Sequence, residues 1–168
     1  MSEIGWGKCR IFVKDLDTAK AKFRELPTPI EGTTNLEPTK GDKQEAKIEG
    51  GANEDVKYNK STYALNFNIR AKKGRKRPFK SSDGIVEHSY ETIVVPEDAL
   101  VPSAIHIAKG TVSVGDTFDT TEGAVWPYTI DAIKTDTLDS VEIGTATIGT
   151  DGQPTFVAVQ DESEPTGN

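Results

Sequence analysis

The stretch YALNFNIRA, residues 63–71, determines the fold class, because apolar side chains recur in it at every second position. The apolar set is Tyr63, Leu65, Phe67, Ile69 and Ala71. Successive side chains of a β-strand point to opposite faces of the sheet, so this set covers one face and mostly polar residues cover the other. The stretch therefore predicts a strand with one buried and one solvated face. A pairing shift of one residue would turn the whole apolar set outward.

Comparable alternation continues along the chain, and turn-forming Gly, Asp and Pro residues separate the segments. The other predicted strands are Lys8–Lys14, Gln44–Glu49, Ile85–Val95, Ile105–Val114, Val125–Ile133, Val141–Ile148 and Thr155–Val159. Helix periodicity is nearly absent; its one candidate, Asp17–Leu26, also suits a turn. We predict an all-β, antiparallel β-sandwich or barrel of about eight strands with long loops and at most one short helix. Its expected core contains Ile11 and Val13 together with Leu65, Phe67 and Ile69.

The length of 168 residues fits one domain, which we expect to span residues 1–160. Residues 161–168 (DESEPTGN) are acidic and poor in apolar side chains, which predicts a flexible tail. The proline-rich segment Pro27–Asp42 is interpreted as a long irregular connection. No apolar run approaches the ~20 residues of a membrane span, and the first residues lack the apolar stretch of a signal peptide. We therefore expect no membrane partner, and expect the chain to fold where it is made.

Charge is distributed unevenly along the chain. Residues 70–80 (RAKKGRKRPFK) hold seven basic residues and no acid, whereas the other 157 residues carry 13 basic and 27 acidic residues, a net charge of −14. Such an acidic body is a poor general binder of nucleic acid, but a basic segment can dock on an acidic surface of an identical neighbour. The candidate assembly residues are Arg70, Lys72, Lys73, Arg75, Lys76, Arg77 and Lys80.

Motifs of enzymatic chemistry are missing from the sequence. It contains no GxxxxGK[ST] phosphate loop, no GxGxxG fingerprint and no GxSxG elbow. A single cysteine, Cys9, excludes an intrachain disulfide and a multi-cysteine zinc site; on an apolar strand face it is interpreted as a small buried hydrophobic residue. His88 and His106 lie inside predicted strands and are interpreted as hydrogen-bonded strand histidines. We therefore expect no enzyme and no cofactor.

The stretch LEPTKGDKQEAKIEGGANEDVKYNKSTYALNFNIRA, residues 36–71, resembles the front half of bacteriophage and prophage tail tube proteins. Pro96–Asp98, the strand at Ile105–Val114 and Gly115–Lys134 extend the resemblance to about two-thirds of the chain. The family shares its fold with the tube protein of type VI secretion. The resemblance implies a β-sandwich subunit that closes into hexameric rings, which stack into a hollow tube.

The same resemblance implies no catalytic residues. The expected partners are copies of the chain itself and other tail proteins, with DNA only as passing cargo. The expected locations are the virion tail and, before assembly, the host cytoplasm. An acidic inner wall would let DNA slide, because like charges repel phosphate.

Two other interpretations stay open. A monomeric ligand- or protein-binding β-sandwich would use an aromatic platform at Trp126, Pro127 and Tyr128, although core packing also explains these residues. A nucleic-acid-binding domain would use Arg70–Lys80 with Phe79 as a stacking group.

Overall fold

The computed structural model describes residues 7–160 of the chain. Within that range it contains thirteen β-strands and no helix, so the all-β prediction is confirmed. The strands are β1 (Arg10–Asp15), β2 (Arg24–Glu25), β3 (Asn35–Thr39), β4 (Lys43–Lys47), β5 (Asn53–Tyr58), β6 (Thr62–Arg70), β7 (Ser81–Ser82), β8 (Ile85–Val95), β9 (Ala104–Val114), β10 (Thr117–Asp119), β11 (Gly123–Ala132), β12 (Glu142–Ile148) and β13 (Pro154–Ala158). In this range no helix is long and apolar enough to cross a membrane.

Eleven strands form one antiparallel sheet. Its main path runs β2–β1–β8–β9–β11–β6–β3. Outside this path, β7 pairs with β8 and β10 pairs with β11, while β12 pairs with both β9 and β13. Ile11 on β1 and Leu65 on β6 share one apolar cluster, so the sheet curls over a common core. In the described chain β2 and β3 do not pair with each other, and the curled sheet is not a closed barrel. The extra strands relative to the expected number are mostly short pieces at the margins of longer ones.

The predicted core is confirmed, and it lies inside the curled sheet. Ile11, Val13, Leu65, Phe67 and Ile69 are each at most 1% exposed. The apolar alternation of β6 therefore faces inward, as its period of two requires. Aromatic rings complete the same cluster: the Phe67 ring lies 5.6 Å from that of Tyr128, and Phe79 meets Tyr128 edge-on at 5.3 Å.

A second apolar cluster lies on the outer face of β1 and β8. It contains Phe12 and Ile93, and the β12–β13 hairpin covers it with Ala146 and Phe156. The hairpin is fixed at its turn, where the side-chain amide of Gln153 accepts from the Phe23 backbone N–H at 2.9 Å and donates to the Phe23 carbonyl at 3.0 Å. Strands β1 and β8 are consequently buried on both faces over part of their length.

Asp17–Leu26 is a turn followed by β2, so the helix interpretation is wrong and the turn interpretation is confirmed. The carboxylate of Asp15 accepts hydrogen bonds from the Asp17 backbone N–H and the Thr18 hydroxyl, both at 2.9 Å. Such local bonds compete with the helical hydrogen-bond pattern and favour a turn.

Pro27–Asp42 is not wholly irregular, because it contains β3. Pro38 lies within β3 opposite Tyr63 of β6. Proline cannot donate a ladder hydrogen bond, but β3 is the last strand of the sheet path and needs partners on one side only. An edge strand therefore forms where the prolines suggested a loop.

Two features leave opposite ends of β6. Before its first residue, Thr62, the chain forms the β4–β5 pair, residues 43–58, which we name the projecting hairpin. After its last residue, Arg70, comes the basic segment, residues 70–80. Nine residues of strand separate the two features by roughly 26 Å, at about 3.3 Å per residue.

Candidate functional site

Two of the basic segment's arginines are held by neighbouring strands. The Arg77 guanidinium donates to both carboxylate oxygens of Asp116, at 3.2 and 2.5 Å, and lies 5.4 Å from the centre of the Trp126 ring. Arg70 donates to the backbone carbonyl of Glu122 at 2.5 Å. The planar guanidinium suits such paired and stacked contacts. These two arginines therefore fix the segment against the β10–β11 hairpin.

The middle of the basic segment is folded back on itself. Arg75 donates to the Arg70 carbonyl at 2.7 Å, and its backbone N–H bonds the Lys72 carbonyl at 3.0 Å. Pro78 and Phe79 are buried, and Phe79 is only 2% exposed. The stacking group that a nucleic-acid interpretation needs is thus part of the core.

The lysines of the basic segment behave differently from its arginines. Within residues 7–160 none of the four makes an ion pair, and all four are exposed: Lys72, Lys73, Lys76 and Lys80. The predicted assembly residues therefore divide into three arginines with structural contacts and four lysines that present their charge to solvent.

The basic segment ends in a tight hairpin that sequence reasoning missed. Ser82 and Ile85 pair across the two-residue turn Asp83–Gly84, in which both residues have positive φ, 51° and 82°. Asp-Gly is a typical type I′ turn sequence. A side chain at Gly84 would approach the Val114 carbonyl oxygen to 2.7 Å, so this position requires glycine on two grounds.

The projecting hairpin is exposed along its whole length. Every residue of β4 and β5 is exposed, and in the described chain the two strands pair only with each other. Ile48, Val56 and Tyr58 are 48%, 39% and 55% exposed. Isolated two-stranded hairpins are marginally stable in water, so these apolar side chains mark a surface suited to a partner.

The charged side chains of β4 pair with one another, while the acids that follow β4 have no ion pair within the described range. Glu45 lies 2.5 Å from the Lys43 ammonium and 3.8 Å from that of Lys47. Residues 49–55 (EGGANED) carry three acids and no base. Those acids, Glu49, Glu54 and Asp55, are exposed and make no ion pair within the described range. The strand β5 here, Asn53–Tyr58, is absent from the strands that the sequence predicted.

His106 is a hydrogen-bonded strand histidine, as predicted, and it joins three strands. Its Nε2 lies 2.9 Å from Glu91 on β8 and its Nδ1 lies 3.0 Å from Glu142 on β12. Lys14 on β1 contacts the same Glu91 at 2.9 Å. Burial lowers the pKa of His106, but the hydrogen bonds to the two carboxylates outweigh burial and raise that pKa above its ordinary value. The protonated ring donates to both carboxylates at once.

This geometry predicts pH-dependent stability. Because the folded-state pKa of His106 is raised, its stabilisation is fully present below the unfolded pKa of about 6.5 and is lost as the pH rises through the folded value. The difference in unfolding free energy between wild type and His106→Gln should therefore shrink from pH 6 to pH 9. Urea unfolding at both pH values measures it, with the exposed, non-titrating Thr147→Gln as control. A His106→Gln difference that stays constant over this range would contradict the assignment.

His88 makes the second histidine contact, with Nδ1 2.7 Å from the Asp15 carboxylate. That hydrogen bond raises the pKa of His88 above its ordinary value. Asp17 completes a group whose ligand-type atoms all lie within 4.8 Å of one another, the group of the described residues best placed to approach a metal ion. Asp17 also accepts from the Ser89 backbone N–H at 2.8 Å. These bonds join the end of β1 to β8.

The aromatic residues Trp126 and Tyr128 on β11 pack against the core and do not form an exposed platform. Tyr128 is 1% exposed, which confirms its core role, and Trp126 is partly buried against the same cluster. Pro127 lies where β11 passes from pairing with β10 at Val125 to pairing with β9 at Tyr128, so the missing N–H of the proline falls between two ladders.

A cavity of about 650 Å³ opens at the Thr62 end of the body. Cys9, Leu36 and Ile105 lie on its wall, and the hydroxyl of Ser103 is buried there without a hydrogen-bond partner. Cys9 is a free, half-buried thiol that packs against the inner core, in agreement with its interpretation as a small hydrophobic residue.

Comparison with known proteins gives no match, either among protein-family models or among curated proteins. The functional argument therefore depends on the surfaces described above. Two of these surfaces lie at opposite ends of β6: the exposed projecting hairpin at one end and the lysines of the basic segment at the other.

Proposed function

We propose that this chain is a structural subunit that associates with copies of itself into rings, and that the rings stack as a hollow tail tube through which phage DNA passes. The projecting hairpin carries the proposal: it exposes three large apolar side chains and finds no partner within the described chain. The proposed partners of the subunit are other copies of the chain and other tail proteins. The subunit would meet them first in the host cytoplasm and then in the virion.

Unpaired strand edges support association side by side. Among the described residues β13 pairs only with β12, so one row of its backbone groups is open to a neighbouring strand. The outer face of this pair exposes Ile143, Val157 and Val159, with Val157 62% exposed. Between Glu142 and Asp151 the chain carries no charge. An uncharged, partly apolar strand pair with an open edge suits the continuation of a sheet between subunits in a ring.

The charge distribution supports the passage of DNA rather than its capture. Outside the basic segment the net charge is −14, which repels phosphate. Within the segment, Arg70 and Arg77, the type of residue best suited to bidentate phosphate contacts, bind Glu122 and Asp116 instead.

Purified wild type is expected to form rings or tubes in low salt, visible by negative-stain microscopy and in sedimentation velocity. Lys73→Glu/Lys76→Glu should weaken this association without changing the fold, because neither lysine has an ion-pair partner in residues 7–160. Exposed pairs contribute ~0–1 kcal/mol each, so association should weaken rather than vanish.

Lys22→Glu/Lys109→Glu is the matched control: both lysines are exposed, and the variant has the same net charge. Equal weakening in the two variants would attribute the effect to net charge alone. A wild type that stays monomeric at millimolar concentration in low salt would overturn the tube proposal.

The second candidate, a monomeric binding module, is favoured by one observation, the cavity beside Cys9 and Ile105. Its volume of about 650 Å³ lies in the range of small-molecule sites, roughly 300–1,000 Å³. A persistent monomer whose unfolding temperature rises with an apolar ligand, and falls back when Ile105→Trp fills the cavity, would support this candidate.

A further inference from the structure

We propose that the tip of the projecting hairpin of one copy docks on the lysines of the basic segment of the next copy, in a head-to-tail contact that repeats along a stack. This inference rests on the proposed self-association and names the two surfaces that meet. It is a contact between two different surfaces of identical chains, so one copy uses its hairpin while its neighbour uses its basic segment.

The topology places the two surfaces so that such a contact can repeat. The projecting hairpin enters β6 at Thr62 and the basic segment leaves β6 at Arg70, so one strand runs between them. A copy can therefore receive a hairpin at one end while it offers its own at the other. The strands of the projecting hairpin have five and six residues, which give it a reach of roughly 17 Å at about 3.3 Å per residue.

The unpaired charges of the two surfaces are complementary. Glu49, Glu54 and Asp55 near the hairpin tip lack ion pairs within the described range, while Glu45 nearer the base is already paired with lysines. At the other end of β6, the four lysines of the basic segment also lack ion pairs there, while Arg77 is paired. The unpaired acids of the first surface and the unpaired lysines of the second have opposite sign, which favours a contact between them.

Both surfaces have the shape that this contact needs. The hairpin tip turns through Gly50 and Gly51, at φ 97° and 88°, with no atom within 4 Å of the position where a Cβ would lie. The tip is therefore narrow and unobstructed. The basic segment is held by the contacts of Arg75 and Arg77, so its lysines are presented from a fixed backbone. A preorganised surface loses less entropy on binding.

A second copy fits the lysines better than nucleic acid does. The rest of the chain carries a net charge of −14, the aromatic ring of Phe79 is buried, and Arg70 and Arg77 contact Glu122 and Asp116. The charged groups left exposed in the basic segment are the ammonium groups of its four lysines, which pair readily with exposed carboxylates.

Disulfide trapping tests the contact directly. In a Cys9→Ser background, Ala52→Cys at the hairpin tip and Lys73→Cys in the basic segment are combined in one chain. Mild oxidation in low salt should give a ladder of linked dimers, trimers and longer species on a non-reducing gel, and 1 M salt should suppress it. The control pair is Ala52→Cys with the exposed Thr147→Cys on β12, which should give little cross-linking.

Charge exchange provides the second measurement. Glu49→Lys/Glu54→Lys should weaken association at least as much as Lys73→Glu/Lys76→Glu, and the four substitutions together should restore most of it. Neither acid makes an ion pair in residues 7–160, so the folded subunit should be unaffected.

The outcomes separate this contact from the proposed function. Rings without the ladder and without restoration would overturn the contact and leave the ring proposal standing. A ladder without rings would support the contact and count against the tube. DNA binding that is lost in Lys73→Glu/Lys76→Glu, with no ladder at any protein concentration, would assign the lysines to nucleic acid and overturn the inference.

Discussion

Leu65→Ala is expected to lower the free energy of unfolding by about 2–5 kcal/mol. Leu65 is fully buried in the middle of β6, where it pairs with Ile130 of β11 and Leu36 of β3. Truncation removes apolar contacts from the inner core and leaves a cavity that surrounding strands cannot easily fill, because each is fixed by ladder hydrogen bonds. Urea unfolding followed by tryptophan fluorescence measures the change.

Leu100→Ala is the matched control, because the substitution is the same and Leu100 is 83% exposed. Its unfolding free energy should differ from wild type by no more than ~0.5 kcal/mol. Equal effects at the two positions would contradict the placement of Leu65 in a well-packed core.

Removal of the projecting hairpin should abolish tubes while the body stays folded, because the hairpin is proposed to join copies along the stack. The hairpin contributes no residue to either apolar cluster. Its base is already closed, since the Asn59 backbone N–H bonds the Asp42 carbonyl at 2.8 Å. A Gly-Ser linker can therefore replace residues 43–58. The expected result is a cooperative unfolding transition like that of wild type, with no species larger than a single ring in sedimentation velocity.

A second variant separates the apolar contribution from the length of the hairpin. Ile48→Ser/Val56→Ser/Tyr58→Ser keeps the acidic tip but removes the exposed apolar side chains. It should weaken assembly strongly, because burial of apolar area contributes about 25 cal/mol per Å². Tubes that still form from the deletion variant would show that the hairpin is not an assembly element.

Strand positions were predictable because a period of two is a local property of the sequence. β8 occurs with the predicted bounds, β9 begins one residue earlier than predicted, and β6 is displaced from its predicted bounds by one residue at each end. The second buried face was not predictable, because the covering of Phe12 and Ile93 depends on where the distant β12–β13 hairpin lies. That arrangement depends on long-range contacts, such as Gln153 with Phe23, which have no signature in either segment.

The candidate surfaces were predicted in part. The sequence identified the basic segment, but the division between anchored arginines and free lysines depends on Asp116 and Glu122, more than 35 positions away. The partner surface was missed because Asn53–Asp55 has low strand propensity. The sequence did contain one signal for the projecting hairpin. The glycine pair Gly50-Gly51, which favours a hairpin turn, directly follows the predicted strand Gln44–Glu49.

The positions of the projecting hairpin and the basic segment at opposite ends of β6 give the subunit a direction. A stack of such subunits displays acidic hairpin tips at one terminus and lysines at the other. The stack therefore has a polarity. Growth at the two termini then involves different encounters, and a protein that starts the stack cannot be interchangeable with one that stops it. The initiator and the terminator must carry opposite charge on the faces that meet the tube.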